Sequence, residues 1–417
     1  MVPETSRVKD AEEMSLQKRF GEKLRRKRSG GTVRVRKRTI RKDQMTDYSK
    51  VMKNGEKSIY DLRDLFSRYG YKEFKAGKFE DYELYSDNKD FLSNDGILTF
   101  TDPNGHLMAL KPDVTLSVAK DAEWHPGVTS KIYYDDEVYR MSSYSHDFKE
   151  IMQTGIECMG DVDEYDECEV LILAARSLEL ISSDYVLDIS HMAIVREVLD
   201  ELKLSPSEEK RVLHCLAEKN AHGIRKLCEA DGVPEEAADK IVRLVKTYGD
   251  MDKVLPEISD MVSGEALDQL KCVRDVLEAE DLARNVRFDF SVVNEMGYYN
   301  GIMFDGFVEG VSKPVIAGGR YDNLMKRMGK KCGAVGFSVS VDALERLAPP
   351  AEKNDVDVLI IYDEDTDIEA LSRVSSTLRS EGKTVLAERG IPEKLTYGEI
   401  VRFQDGDLKE VSGEELE

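Results

Sequence analysis

The 417-residue sequence predicts an α+β protein: an antiparallel sheet flanked by helices, a helical insertion within it, and a small α/β module at the C-terminal end. Three observations predict this. Strand-like runs occupy 99–160 and return at 288–341. Between them, from about 192 to 283, the apolar spacing turns helical. After Pro349-Pro350 come a buried-strand run, a helical stripe and a second strand.

Ile59, Leu62, Leu65, Phe66 and Tyr69 share one helical face, and Gly70 is placed to end that helix in a left-handed conformation. Thr99–Asp102 reads as a strand, and Asn104-Gly105 as a turn into His106–Leu110. Lys131–Arg140 and Thr154–Gly160 are strand-like, with a polar loop between them. Ser205-Pro206-Ser207-Glu208 is a capping box with proline in the first helical position. Pro234 opens another helix, on which Ile241, Leu244, Val245 and Tyr248 are expected on one face with Gly249 at the end. Strand text resumes at Phe288–Val292, Gly301–Val308 and Ala334–Val341. Val356–Tyr362, the stripe Ile368, Leu371, Val374 and Leu378, and Thr384–Ala387 then form one β-α-β unit. A full doubly wound domain needs more strands, so 350–417 reads as a reduced module.

Composition narrows the function. The hydrophobic share is 41% and the charged share 34%, a soluble composition, and no run of 18 apolar residues offers a membrane span. The N-terminus has no apolar stretch of the secretory kind, so the expected compartment is the cytoplasm. Six scattered cysteines and six histidines show no metal spacing, so no metal or cofactor is expected. Residues 1–44 carry 15 Lys/Arg against 6 Asp/Glu, including Arg25-Arg26-Lys27-Arg28, while the rest of the chain is net −31. The basic head reads as a disordered extension, with Met45 as an alternative start, or as a nucleic-acid arm. A body that acidic is ill suited to phosphate contacts, so nucleic acid is not an expected partner.

Four segments carry a family resemblance: Leu110–Thr115; Val138–Arg140 through Gln153–Glu157; Gly297–Phe304; and Ala317–Leu324. In this order, split by a helical insertion, they resemble the histidyl-tRNA synthetase core and its paralogue family, the regulatory subunits of ATP phosphoribosyltransferase. The resemblance covers 45–349 and implies a class II aminoacyl-tRNA synthetase-like core. It implies a pocket for free histidine. Asp113, Thr115 and Glu157 would take the α-ammonium, Gln153 the carboxylate, and Tyr299 and Tyr321 the imidazole.

The ATP half of that site is poorer. Arg140 matches the arginine that holds the α-phosphate, but the glutamate that follows in the family is Ser142 here. Two further arginine positions align with Asn294 and Ala343. Arg346 lies three residues past the second, and an alignment shifted by three would restore it; Asn294 does not depend on that choice. Adenylate formation relies on fixed cations, and losing one such donor costs roughly 10²–10³ in rate. The resemblance therefore implies a non-catalytic regulatory subunit, with Arg140 a vestigial phosphate contact. Its expected partners are a short-form catalytic subunit in a hetero-octamer, a second copy of this chain through the core, and histidine as ligand. The alternatives are a divergent histidyl-tRNA synthetase and a tRNA-binding module.

Overall fold

The computed structural model describes residues 54–92, 96–122, 125–141, 147–293, 299–344 and 354–411. The basic head, Ser142, Asn294 and Arg346 lie outside them.

A nine-stranded mixed sheet organises residues 72–340. Its strands run in the order β1 (Lys72–Glu73), β5 (Thr129–Met141), β6 (Phe148–Gly160), β12 (Gly333–Ser340), β11 (Ile316–Arg320), β10 (Ile302–Val308), β7 (Tyr185–His191), β9 (Val286–Asp289) and β8 (Tyr248–Asp250). The six central strands pair antiparallel, as the sequence predicts. The flanking pairs β1–β5 and β7–β9 are parallel. Beside this sheet, β2 (Phe79–Asp81), β4 (Leu107–Leu110) and β3 (Thr99–Thr101) form a three-stranded sheet.

Strand alternation gives the large sheet two different faces. On one, Ile156, Cys158, Leu187, Ile189, Phe288, Ile302, Phe304, Val335, Phe337 and Val339 are buried in the main apolar core. Leu62 and Phe66 of the helix Asn54–Arg68 and the buried run of Glu164–Ile181 enter the same core. Asp163 begins the second of these helices with a capping box, its side chain accepting from Asp166 N at 3.1 Å. Gly70 has φ +86, the left-handed end expected of the first. The other face carries the polar groups described below.

The helical block runs from Met192–Asp200 to Glu265–Ala279. His191 opens it structurally: Nδ1 accepts from Ala193 N at 3.2 Å and Nε2 faces Gln269 Oε1 at 2.8 Å. Those partners put the ring proton on Nε2. The Ser205 capping box is present, with Ser205 N donating to Glu208 at 2.8 Å. One expectation fails. The helix Glu235–Lys246 stops before Tyr248, which lies exposed in β8, paired with β9. Thr247 breaks the helix because its backbone turns to ψ 98, and its Oγ1 bonds back to Arg243 O at 3.0 Å.

The C-terminal residues form a four-stranded sheet in the order β14 (Val385–Glu388), β13 (Val356–Ile361), β15 (Tyr397–Gln404), β16 (Asp407–Glu410). The helix Ile368–Ser380 packs on it through Leu371. The last two strands were not legible in the sequence. β15 adds parallel to β13 and β16 turns back antiparallel.

Candidate ligand pocket

The polar face of β6 carries Gln153, Gly155 and Glu157 at alternate positions. Glu157 is at the centre of the site and is 2% exposed. Thr115 Oγ1 donates to its Oε1 at 2.6 Å, and Tyr321 OH donates to its Oε2 at 2.5 Å. Burial pushes the Glu157 carboxyl up to about 8; the two hydroxyl donors act against this, and the nearby Asp113 charge adds to it. The site therefore holds a carboxyl that is protonated at neutral pH when nothing cationic is bound.

Glycine makes room for it. In the β6–β12 register Gly336 stands opposite Glu157, and a Cβ there would lie 1.9 Å from Glu157 Oε2. Gly318 and Gly319 lie inside β11, where a Cβ at Gly318 would meet Phe337 Cβ at 2.4 Å and one at Gly319 would meet the Tyr299 ring at 2.8 Å. Both glycines serve close packing rather than turning.

Asp113 ends the extended segment before the helix Val114–Asp121 and caps it, accepting from Leu116 N at 2.9 Å. This fixes Thr115 in the first turn, where it reaches Glu157. Burial raises the Asp113 carboxyl, opposed first by the Arg140 charge. Arg140 itself donates from Nε to Pro112 O at 2.9 Å, which ties β5 to the cap. Tyr299 precedes β10 and packs against apolar residues on two sides, Met192, Val292 and Met303 on one of them. Its hydroxyl is held well above the usual phenol range by burial and by the charges of Glu157, Asp305 and Asp113.

The six histidine-pocket residues named from the sequence thus lie on one sheet face or its borders. Asp113, Thr115, Glu157 and Tyr321 are joined by contacts or charge. Gln153 shares their face at 9% exposure, and Tyr299 borders it. Tyr134 was missed. It is fully buried, stands opposite Gly155 in the β5–β6 register, and its hydroxyl bonds to Thr115. The signal was the alternation Tyr134, Asp136, Val138, Arg140 along one strand. Lys111, also missed, is buried and pairs with Asp136 at 2.7 Å.

Arg320 is bound to Glu167 and to Asp322, at 3.0 Å from Asp322 Oδ2. Ala343, in the short helix Val341–Leu344, packs against the main apolar core. Among the described residues no group of three His, Cys, Asp or Glu could hold a metal ion, and no helix is long and apolar enough to cross a membrane.

Comparison with known proteins places these features in a family. The histidyl-tRNA synthetase family profile matches residues 49–344. An ATP phosphoribosyltransferase regulatory subunit from Oceanobacillus iheyensis is 28% identical over 355 residues, covering 82% of this chain and 87% of that protein. One from Thermoanaerobacter pseudethanolicus is 29% identical over 338 residues, covering 78% and 87%. The crystal structure of an ATP phosphoribosyltransferase regulatory subunit/histidyl-tRNA synthetase from Bacillus halodurans shares the fold, with a TM-score of 0.69 at 23% identity over 84% of this chain and 93% of that one.

Proposed function

The chain belongs to the histidyl-tRNA synthetase family, and from that premise we propose that it is the non-catalytic regulatory subunit of ATP phosphoribosyltransferase, acting in the first step of histidine biosynthesis. The two relatives described above carry that name, and each aligns over most of its own length. The observation that carries the reading is an asymmetry. The histidine side of the site is assembled around Glu157 with its Thr115 and Tyr321 donors. The nucleotide side offers Arg140, already turned to Pro112 O, and Ala343, which the resemblance aligns with a family arginine.

In this reading the partner is a short-form catalytic subunit that is active only in the complex. Histidine enters the pocket of Asp113, Thr115, Gln153, Glu157, Tyr299 and Tyr321. Its ammonium displaces the Glu157 proton, its carboxylate meets the Gln153 amide, and the tyrosines wall its ring. Binding biases the assembly toward an inactive arrangement by an amount typical of allosteric coupling, about 1–3 kcal/mol. The chain pairs with a second copy through its core, the complex is a hetero-octamer, and it works in the cytoplasm. The decisive experiment mixes this chain with a short-form catalytic subunit. Phosphoribosyl transfer to ATP that needs both proteins, and that histidine inhibits, is expected. Histidine-dependent exchange of pyrophosphate into ATP by this chain alone would sink the reading in favour of a synthetase.

A further inference from the structure

A second polar centre lies on the same sheet face, several strands from Glu157. Asp188 of β7 and Asp305 of β10 are direct cross-strand partners, so their carboxylates stand side by side. Asp289 on the adjoining β9 adds a third. The three are satisfied very differently. Asp289 accepts from Lys219 Nζ at 2.5 Å and from Ser291 Oγ at 2.6 Å, and Lys219 also sits 4.2 Å from the centre of the Tyr248 ring. Asp188 and Asp305, both half-buried, take part in no hydrogen bond or ion pair among the described residues. Arg287 is in register with Asp188 but is exposed and makes no ion pair with it among those residues.

Ser190 supplies an independent observation. It lies two residues past Asp188 on the same face of β7, is 0% exposed, and its Oγ has no hydrogen-bond partner among the described residues. A buried hydroxyl without a partner carries a desolvation cost that a ligand would relieve. Burial, and then the neighbouring acidic charges, raise Asp188 and Asp305 to about 6 each, with the Lys219 and Arg287 charges opposing the rise at Asp188. Between this pair and Glu157 the face is carried by Ala317 and Ser338, by Met303 beside Ser190, and by Gly319 and Gly336, whose space the Tyr299 ring and the Glu157 carboxyl fill.

We propose that Asp188, Asp305 and the Ser190 hydroxyl bind the ammonium group of a small organic amine, at a subsite separate from the Glu157 pocket. An ammonium has three N–H donors and no acceptor, and two carboxylates with one hydroxyl offer three acceptor groups, one for each donor. A metal ion fits less well, since the described residues hold no cluster with ligand geometry. The inference does not rest on the regulatory reading, because its residues and its readout differ from those of the histidine pocket.

The test titrates the full chain with butylammonium chloride by calorimetry and thermal melting, against sodium chloride of equal ionic strength. Saturable binding to the wild type is expected. It should weaken about tenfold or more in Asp188→Asn/Asp305→Asn, the scale of a lost charge-assisted hydrogen bond. Glu157→Gln should leave it unchanged. Asp305→Asn alone serves if the double variant does not fold, and Ser190→Ala should weaken binding several-fold. Equal butylammonium binding by the Asn variants, no saturable binding by the wild type, or a response to magnesium chloride in place of the amine would each overturn the proposal.

Discussion

Glu157 sets the residue-scale chemistry. Its carboxyl is raised from 4.5 to about 8, so between those values the folded protein keeps a proton that the unfolded chain has released. The stability it contributes is full below about pH 4.5 and is lost as pH rises toward 8. Glu157→Gln should therefore flatten the pH dependence of the melting temperature across that window, while abolishing any histidine-induced shift. A variant with the wild-type pH slope would show that Glu157 does not titrate there. The same protonation predicts that an ammonium ligand expels a proton. Histidine titrations near pH 7, in buffers of different ionisation enthalpy, should report release of up to about one proton, and a slope of zero would count against Glu157 as the ammonium contact. Gly336 is the complementary test. A methyl group there collides with the Glu157 carboxylate, so Gly336→Ala should cost about 1–3 kcal/mol in urea unfolding, the range for overpacking. Wild-type stability with intact histidine binding would contradict the close fit.

Elements differ in how plainly the sequence announces them. The helix Pro206–Ala217 was legible because its signals are local: Ser205, the first-turn proline and Glu208 act within four residues. Ser205→Ala should cost about 1 kcal/mol in denaturant unfolding with no effect on ligand binding. Of the 13-residue strands, β5 was read nearly whole as Lys131–Arg140, while β6 was read only from Thr154 to its end at Gly160, since its first residues are exposed where the hairpin leaves the core. The Tyr248 error has the same root. Its spacing continues the helical stripe, but pairing of β8 with β9 decides its state. β15 and β16 escaped notice because β15 is half-exposed and gains its identity only by lying beside β13.

Across the whole molecule, the sheet is packed on both faces: the main apolar core lies on one, and a second apolar cluster that includes Tyr134, Val138, Met159, Tyr321 and Ala334 surrounds Glu157 on the other. The proposed pocket lies on that second face, away from the main core. Histidine is therefore expected to raise the melting temperature of the wild type and of Arg320→Lys alike, with Tyr321→Phe reducing the shift. An unmoved melting curve in millimolar histidine would remove the pocket assignment.

The sequence by itself determined the class of fold and the helical block between the two strand regions, because these rest on local periodicity; the six proposed pocket residues came from a resemblance carried by four motifs in order. Only the tertiary structure decided that Gly318, Gly319 and Gly336 clear space for neighbours, that Tyr134 completes the hydroxyl chain to Glu157, and that Asp188 and Asp305 face each other across neighbouring strands. Each of these depends on which residue faces which across strands far apart in the chain. That register is set by burying one face of the sheet, and no single segment encodes it.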